Sequence, residues 1–452
     1  MFKAVKLLNQ KQYENLKVED NSGKLVINPN DVLTIVAEYF QSKFQDVSIE
    51  NIDAFQGPPK ALDKPITAGE VRKSLDRLKN NRASGQDGMS AELLKYGTKA
   101  LDEQLAIIFN DTFEKHQDPN INVGELIAIP KPGKPKGPPK NLRPITLLNT
   151  IRKALSIITL HKIRPQVEKY LAPSQSGFRP DRSTADVVWT HKWLAAKTNA
   201  ENVEIKITRI DMYAAFDTID RKALLDILKT ISDEDEVRII RFLLINFVVN
   251  TKVNKATEEK PFISNVGTPQ GDSLGPVLFI IYLEHALRDI RTNISPTTDI
   301  KRLLPREVAY ADDVDFVSLE FVKVEEVQKA LKRHRLSVNV DKIDFTTLSR
   351  NAKDWRETKK VGSLIGDKED VERRKQLSTA ALLKLRNIWI GGDKIKRDTK
   401  IKLYRALVKS ILTYNCGTWT LTQIEEDKLD AFHRKQLKQI LNIKYPVKIK
   451  NE

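Results

Sequence analysis

The nine residues VAYADDVDF, 308–316, constrain the fold more than any other stretch of the chain. Val308, Ala309 and Tyr310 form one short apolar run, and Val314, Phe316 and Val317 belong to another. Asp312 and Asp313 stand between them, with Asp315 close behind. Apolar runs that meet at a two-residue turn predict a β-hairpin. Strands this apolar have at least one packed face, where carboxylates are costly unless something compensates their charge.

A second acid ends another strand. VEIKITRID, 203–211, alternates Val203, Ile205 and Ile207 with polar neighbours and closes on Asp211. Strand-end carboxylates from distant parts of a chain can converge on divalent cations. Mg²⁺ suits such acids, because it takes oxygen ligands and leaves room for substrate phosphates. Two such ions about 4 Å apart stabilise both the attacking and the leaving oxygen in phosphoryl transfer. For a YADD match taken alone, the plain alternative is a pair of solvated turn residues. Asp315 reads as a solvated strand acid or a local charge balance.

Charge points to the partner. The chain has 452 residues, with 76 Lys and Arg against 60 Asp and Glu, a formal excess of +16. An excess of that size favours a polyanion, either nucleic acid or an anionic membrane. No apolar stretch is long enough to span a bilayer, and the N-terminus lacks the pattern of a secretion signal, so membrane binding loses ground. The single cysteine, Cys416, excludes an intramolecular disulfide framework and fits a reducing, intracellular compartment.

Other segments have local signatures. VRKSLDRLKN, 71–80, carries Val71, Leu75 and Leu78 at helical spacing, and NRASGQDG, 81–88, reads as a loop. GELIAIP, 124–130, predicts a strand, and KPGKPKGPPK, 131–140, an extended wet segment. Asp220 is placed to cap a helix bearing Leu224, Leu225 and Leu228. From about residue 369 onward the pattern is mostly helical and basic.

Taken in order, these blocks resemble the reverse transcriptases of non-LTR (LINE-type) retrotransposons. The resemblance rests on NNRASGQDGMSAELLKYG (80–97), IAIPKPGK with NLRPITLLNTIRKALS (127–156), SQSGFRPDRST (174–184) and IDMYAAFDTIDR (210–221). It continues through GTPQGDSLGPVLFIIYLE (267–284), YADD (310–313), LSVNVDKIDF (336–345) and KKVGSLIG (359–366). It implies an α+β right-hand polymerase with fingers, an antiparallel-sheet palm and a helical thumb. Residues 1–60 would be an N-terminal extension, 61–200 fingers with part of the palm, 201–350 palm, and 351–452 a final hairpin motif with a truncated thumb.

The implied function is RNA-directed DNA synthesis, the transfer of dNTPs to a primer 3′-hydroxyl with two Mg²⁺ ions, Mn²⁺ being a possible substitute. The implied catalytic and metal-binding residues are Asp211, Asp312 and Asp313. Lys131, Arg143, Phe216, Gln270, Gly271 and Lys342 would meet the nucleotide. Phe216 would collide with a ribose 2′-OH, the group that separates RNA from DNA building blocks. Lys342 would donate a proton to the leaving pyrophosphate.

Gly177, Phe178, Arg179, Gly362, Lys402, Arg405 and Lys409 would contact the nucleic acids, an RNA template with a DNA primer or nicked target. The last three lie in GGDKIKRDTKIKLYRALVKSIL, 391–412, whose pattern is apolar on one side and cationic on the other, with Lys394, Lys396, Arg397 and Lys400 among its cations. Ala214 and Gly275 stand where many relatives carry Lys and Ser, and Arg209 is a charge in a strand expected to be buried. These departures keep open a nucleic-acid-binding protein that has lost polymerisation. The resemblance also leaves no room for an endonuclease before residue 60, and RNase H is absent.

Overall fold

In the first of the two main sheets, an apolar strand face is covered by a helix from the N-terminal region. The computed structural model describes residues 15–49, 52–254, 256–257, 260–293, 304–390 and 395–443. Strands β1 (Val18–Glu19) and β2 (Leu25–Val26) form a short hairpin. Strands β3 (Val123–Pro130) and β4 (Leu142–Leu148) pair antiparallel across the Lys/Pro loop, with Ile129 opposite Arg143. In this sheet β5 (Ile205–Asp211) takes no part. Strand β6 (Phe247–Val253) lies parallel to β3, and β7 (Ala256–Thr257) and β8 (Phe262–Ser264) pair antiparallel with β6.

The helix Pro29–Phe44 begins with Pro29 at its first position, and the Asn28 side chain accepts from the Asn30 amide. Val32, Leu33, Val36, Phe40 and Phe44 recur at helical spacing. They pack on Leu126, Leu142, Leu148, Phe247, Val249 and Phe262. The segment expected to be an extension thus supplies one side of this sheet's core.

The second sheet carries the acids. Its order is β11 (Asp344–Leu348), β5, β10 (Asp313–Ser318) and β9 (Glu307–Tyr310), all antiparallel. Ile210, Ala309, Val314 and Phe316 join the largest core, which includes Leu278, Phe279 and Ile281 of the long helix Gly275–Asn293. Ile205, Ile207, Val308, Val317 and Leu348 face the other way, onto Val187 and Leu194 of the helix Thr184–Glu201. Both faces are covered, which explains strands apolar at nearly every position.

Beyond residue 350 the hairpin β12 (Lys359–Lys360) and β13 (Ser363–Leu364) turns through Val361 and Gly362, both at positive φ, 39° and 92°. The helices Asp367–Lys384, Arg386–Ile390, Arg397–Tyr404 and Gln423–Ile440 share a core of Leu382, Trp389, Leu403, Tyr404, Val408 and Ile440. The single helix expected across 391–412 begins at Arg397 among the described residues and is interrupted by a π turn at Arg405–Lys409. Lys402, Arg405 and Lys409 are exposed. Lys400 departs from the expected cationic face: it is buried and donates to the Trp389 carbonyl at 3.1 Å. Lys394 and the segment from 444 lie outside the described residues. The α+β expectation holds. Among the described residues no helix is long and apolar enough to cross a membrane.

Candidate active site

Antiparallel register sets the acids. Asp313 lies directly opposite Asp211 across the β10–β5 pair, and Asp312 sits in the turn between β9 and β10. That turn needs Ala311 at φ 57°, an uncommon conformation for a residue with a Cβ. Gln175 holds it. Its Oε1 accepts from the Ala311 amide at 2.9 Å and the Gly177 amide at 2.8 Å, and its Nε2 donates to the Ala311 carbonyl at 3.3 Å. Gly177 has to be glycine here, because a Cβ would stand 2.3 Å from the Ala311 nitrogen.

Each acid has a distinct electrostatic setting. Lys342 reaches Asp211 Oδ2 at 2.6 Å, and the Asn339 side chain approaches the same oxygen at 3.4 Å. Arg209, whose charge was puzzling in an apolar strand, pairs with Asp313 at 2.8 Å and also donates to the Lys359 carbonyl. Burial pushes Asp312 above its ordinary 3.8; a backbone hydrogen bond opposes the rise, and the charges of Asp313 and Asp211 add to it.

Among the described residues no three His, Cys, Asp or Glu side chains converge as a ready cage for a metal ion. The donor chemistry nevertheless fits a hard divalent cation at Asp211 and Asp312. Their carboxylates feel one another's charge, and a half-buried Asp312 gains most from a cation beside it. Asp211 and Asp313 each already face a cation, Lys342 and Arg209.

Asp315 is not a solvated strand acid. It is buried, with Lys360 at 2.6 Å and His191 Nε2 at 3.1 Å, both themselves buried. Burial opposes its charge, but Lys360 and His191 overcome that and hold the carboxyl well below the ordinary range. Nδ1 of His191 faces the Val187 carbonyl at 2.7 Å. The pair ties β10 to the β12–β13 hairpin. At that hairpin's turn the Gly362 carbonyl accepts from Arg373 at 2.7 Å and from Arg374.

A second cluster adjoins the acids. Phe216 lies in a short turn five residues after Asp211, its ring 4.4 Å from Phe279 and 6.1 Å, edge-on, from Phe178. The Phe216 carbonyl accepts from the Thr268 amide at 2.9 Å, which ties this turn to the PQG loop. The Gln270 carbonyl accepts from Thr146 of β4 at 2.8 Å. Gly271, at φ 134°, lies so close to β4 that a Cβ would meet the Thr146 oxygen at 2.4 Å. Strand β4 carries Arg143, which is exposed, and Lys131 follows β3 beside it. Burial pushes Lys131 down, and the charges of Lys43, Arg143 and Lys134 push the same way against Asp217. Its Nζ donates to the Lys140 carbonyl at 2.7 Å.

Several contributors were invisible in the sequence. Arg221 is buried and donates to the carbonyls of Ser264, Val266, Gly267 and Leu244 and to the Ser264 hydroxyl, clamping the strand that leads into the PQG loop. Gln175, Asp217 and Lys43 likewise act on residues far away in the chain, where no local pattern marks them. Of the residues expected at the nucleic acid, Phe178 is exposed at φ 58°. Arg179 spends its donors on Glu168 and on the carbonyls of Ala172 and Gln175, buckling its own loop.

This arrangement falls inside a recognised family boundary. Residues 129–377 match the family described as reverse transcriptase (RNA-dependent DNA polymerase), more than half of the chain. The chain belongs to the reverse transcriptase family. The matched span includes Lys131, Arg143, Asp211, Phe216, Gln270, Asp312, Asp313, Lys342 and Gly362.

Among its relatives is the probable RNA-directed DNA polymerase from transposon BS of Drosophila melanogaster. That protein is 24% identical over 62% of this chain and 32% of its own length. Another is the RNA-directed DNA polymerase from mobile element jockey of Drosophila funebris, 22% identical over 94% of this chain and 48% of that protein. The transposon TX1 149 kDa protein of Xenopus laevis is 24% identical over 71% of this chain and 25% of its own length. The reverse transcriptase resemblance is thus to the non-LTR retrotransposon group, and the chain spans about a quarter to a half of these relatives' lengths. A telomerase structure from Candida albicans overlaps 72% of this chain and 61% of its own at 14% identity, with a TM-score of 0.40.

Proposed function

We propose that this chain is an RNA-directed DNA polymerase that adds dNTPs to a primer 3′-hydroxyl. The observation that carries the reading is the cross-strand pair Asp211–Asp313 with Asp312 in the adjoining turn, in a chain of the reverse transcriptase family. Asp211 and Asp312 would hold Mg²⁺, which when bound lowers the cost of charge on the attacking and leaving oxygens. Asp313, fixed by Arg209, shapes the field beside them. Lys342 balances Asp211 while that carboxylate is not engaged by a cation.

Lys131 and Arg143 supply positive charge for the triphosphate; Arg can fork onto a phosphate while Lys acts as a point charge. Gln270 and Gly271 line the nucleotide beside β4, where glycine permits close backbone approach. The Phe216 ring, backed by Phe279, bars a 2′-OH and so favours deoxynucleotides. Lys402, Arg405 and Lys409 grip the phosphates of a primer–template duplex, with Gly362 at the hairpin nearby and Phe178 toward the template. The test is extension of a DNA primer on an RNA template by the purified protein, with and without Mg²⁺. Metal-dependent full-length product is expected; no product on any primed template, with intact duplex binding, contradicts it.

A further inference from the structure

The helix Pro29–Phe44, which precedes every block the family resemblance covers, ends inside the nucleotide cluster. Its last turn is fastened there. The Phe44 carbonyl accepts from the amides of Asn265 at 3.0 Å and Val266 at 3.3 Å, and the Asn265 side chain bonds both the amide and the carbonyl of Asp46. From this anchor Lys43 Nζ reaches Asp217 Oδ2 at 2.5 Å. The other oxygen, Oδ1, accepts from Gln270 Nε2 at 2.7 Å. Asp217 is 3% exposed, and each of its two carboxylate oxygens is engaged inside the protein.

This chain of contacts fixes an amide. Because Nε2 of Gln270 donates to a carboxylate, its Oε1 is left as the acceptor on the other side of the amide. Without Lys43 the buried Asp217 carboxylate would lose the cation paired with it, and Lys131, which feels its charge, would compete to draw it away. A carboxylate drawn from its place would cease to fix which way the Gln270 amide points. We propose that Lys43 is a positioning residue of the nucleotide site: it holds the Asp217 carboxylate in the place that orients Gln270, and adds to the positive field shared with Lys131 and Arg143. The N-terminal segment is then part of the polymerase's substrate site. This rests on the polymerase reading for the identity of the substrate.

The test is equilibrium binding of a Mg²⁺–dNTP to the full chain on a primer–template ended with a dideoxynucleotide, with steady-state extension beside it. Lys43→Met should weaken dNTP binding and raise KM about tenfold, the scale of one charge-assisted hydrogen bond. The kcat and the primer–template Kd should stay within about twofold of wild type. Lys43→Arg should restore most of the loss. Adding Asp217→Asn to Lys43→Met should cost less than the two single losses together, since a neutral amide needs no cation. Unchanged dNTP binding in Lys43→Met, or a loss that Lys43→Arg does not recover, overturns the proposal. Lys43-dependent dNTP binding in a protein that never extends a primer would sink the polymerase reading and leave this one standing.

Discussion

Phe216 packs at a tilt with its ring 4.4 Å from Phe279, so it cannot swing away without breaking an aromatic pair. A dense site resists extra atoms by about 1–3 kcal/mol, and that strain is about ten- to a hundredfold in rate. Phe216→Val should therefore raise kcat/KM for NTPs by that factor relative to dNTPs, measured by single-nucleotide insertion. Loss of both activities together would mark the ring as core support alone.

Asp315 makes a different prediction. Its carboxyl is held low in the folded chain, so it contributes stability that is present above its ordinary value of 3.8 and lost as pH falls through the native value. Asp315→Asn strands the buried Lys360 ammonium and should cost about 3–5 kcal/mol at pH 7 in denaturant unfolding. The variant should also lose less further stability on acidification than wild type. The motif aspartates were legible in the sequence because a strand-end acid and a turn acid are local signals. The partners of Asp315 were not, because Lys360 lies 45 residues away and only the fold brings it there.

At the scale of elements, the N-terminal helix and the β3–β4–β6 sheet depend on each other. Phe40 is fully buried at their junction, and Phe40→Ala should cost about 3–5 kcal/mol in unfolding free energy. A near-neutral result would mean the helix is dispensable to that core. The hairpin 307–318, the strand ending at Asp211 and the capped helix after Asp220 were all readable from periodicity and turn chemistry. The placement of Pro29–Phe44 was not: its apolar stripe says that it packs, not on what. The same holds for the basic helix, whose pattern gave the exposed face but not the burial of Lys400 or the π turn. Neutralising Lys402, Arg405 and Lys409 together should weaken primer–template binding on every sequence and lower the log–log salt slope by up to about 3. An unchanged slope would put this face away from the nucleic acid.

For the whole molecule, β5 and β10 bring their acids together in one sheet, and the PQG loop bonds both β4 of the other sheet and the Phe216 turn that follows β5. The chain's cationic surplus of +16 favours a polyanionic partner such as nucleic acid. The central claim is that Asp211 and Asp312 serve the chemistry and not the fold. The most direct measurement is RNA-templated primer extension by Asp211→Asn and Asp312→Asn, each compared with wild type for thermal stability and primer–template Kd. Extension should fall by about a thousandfold or more, a loss of several kcal/mol of transition-state stabilisation, with melting and duplex affinity nearly unchanged. Extension at the wild-type rate by either variant would contradict the account.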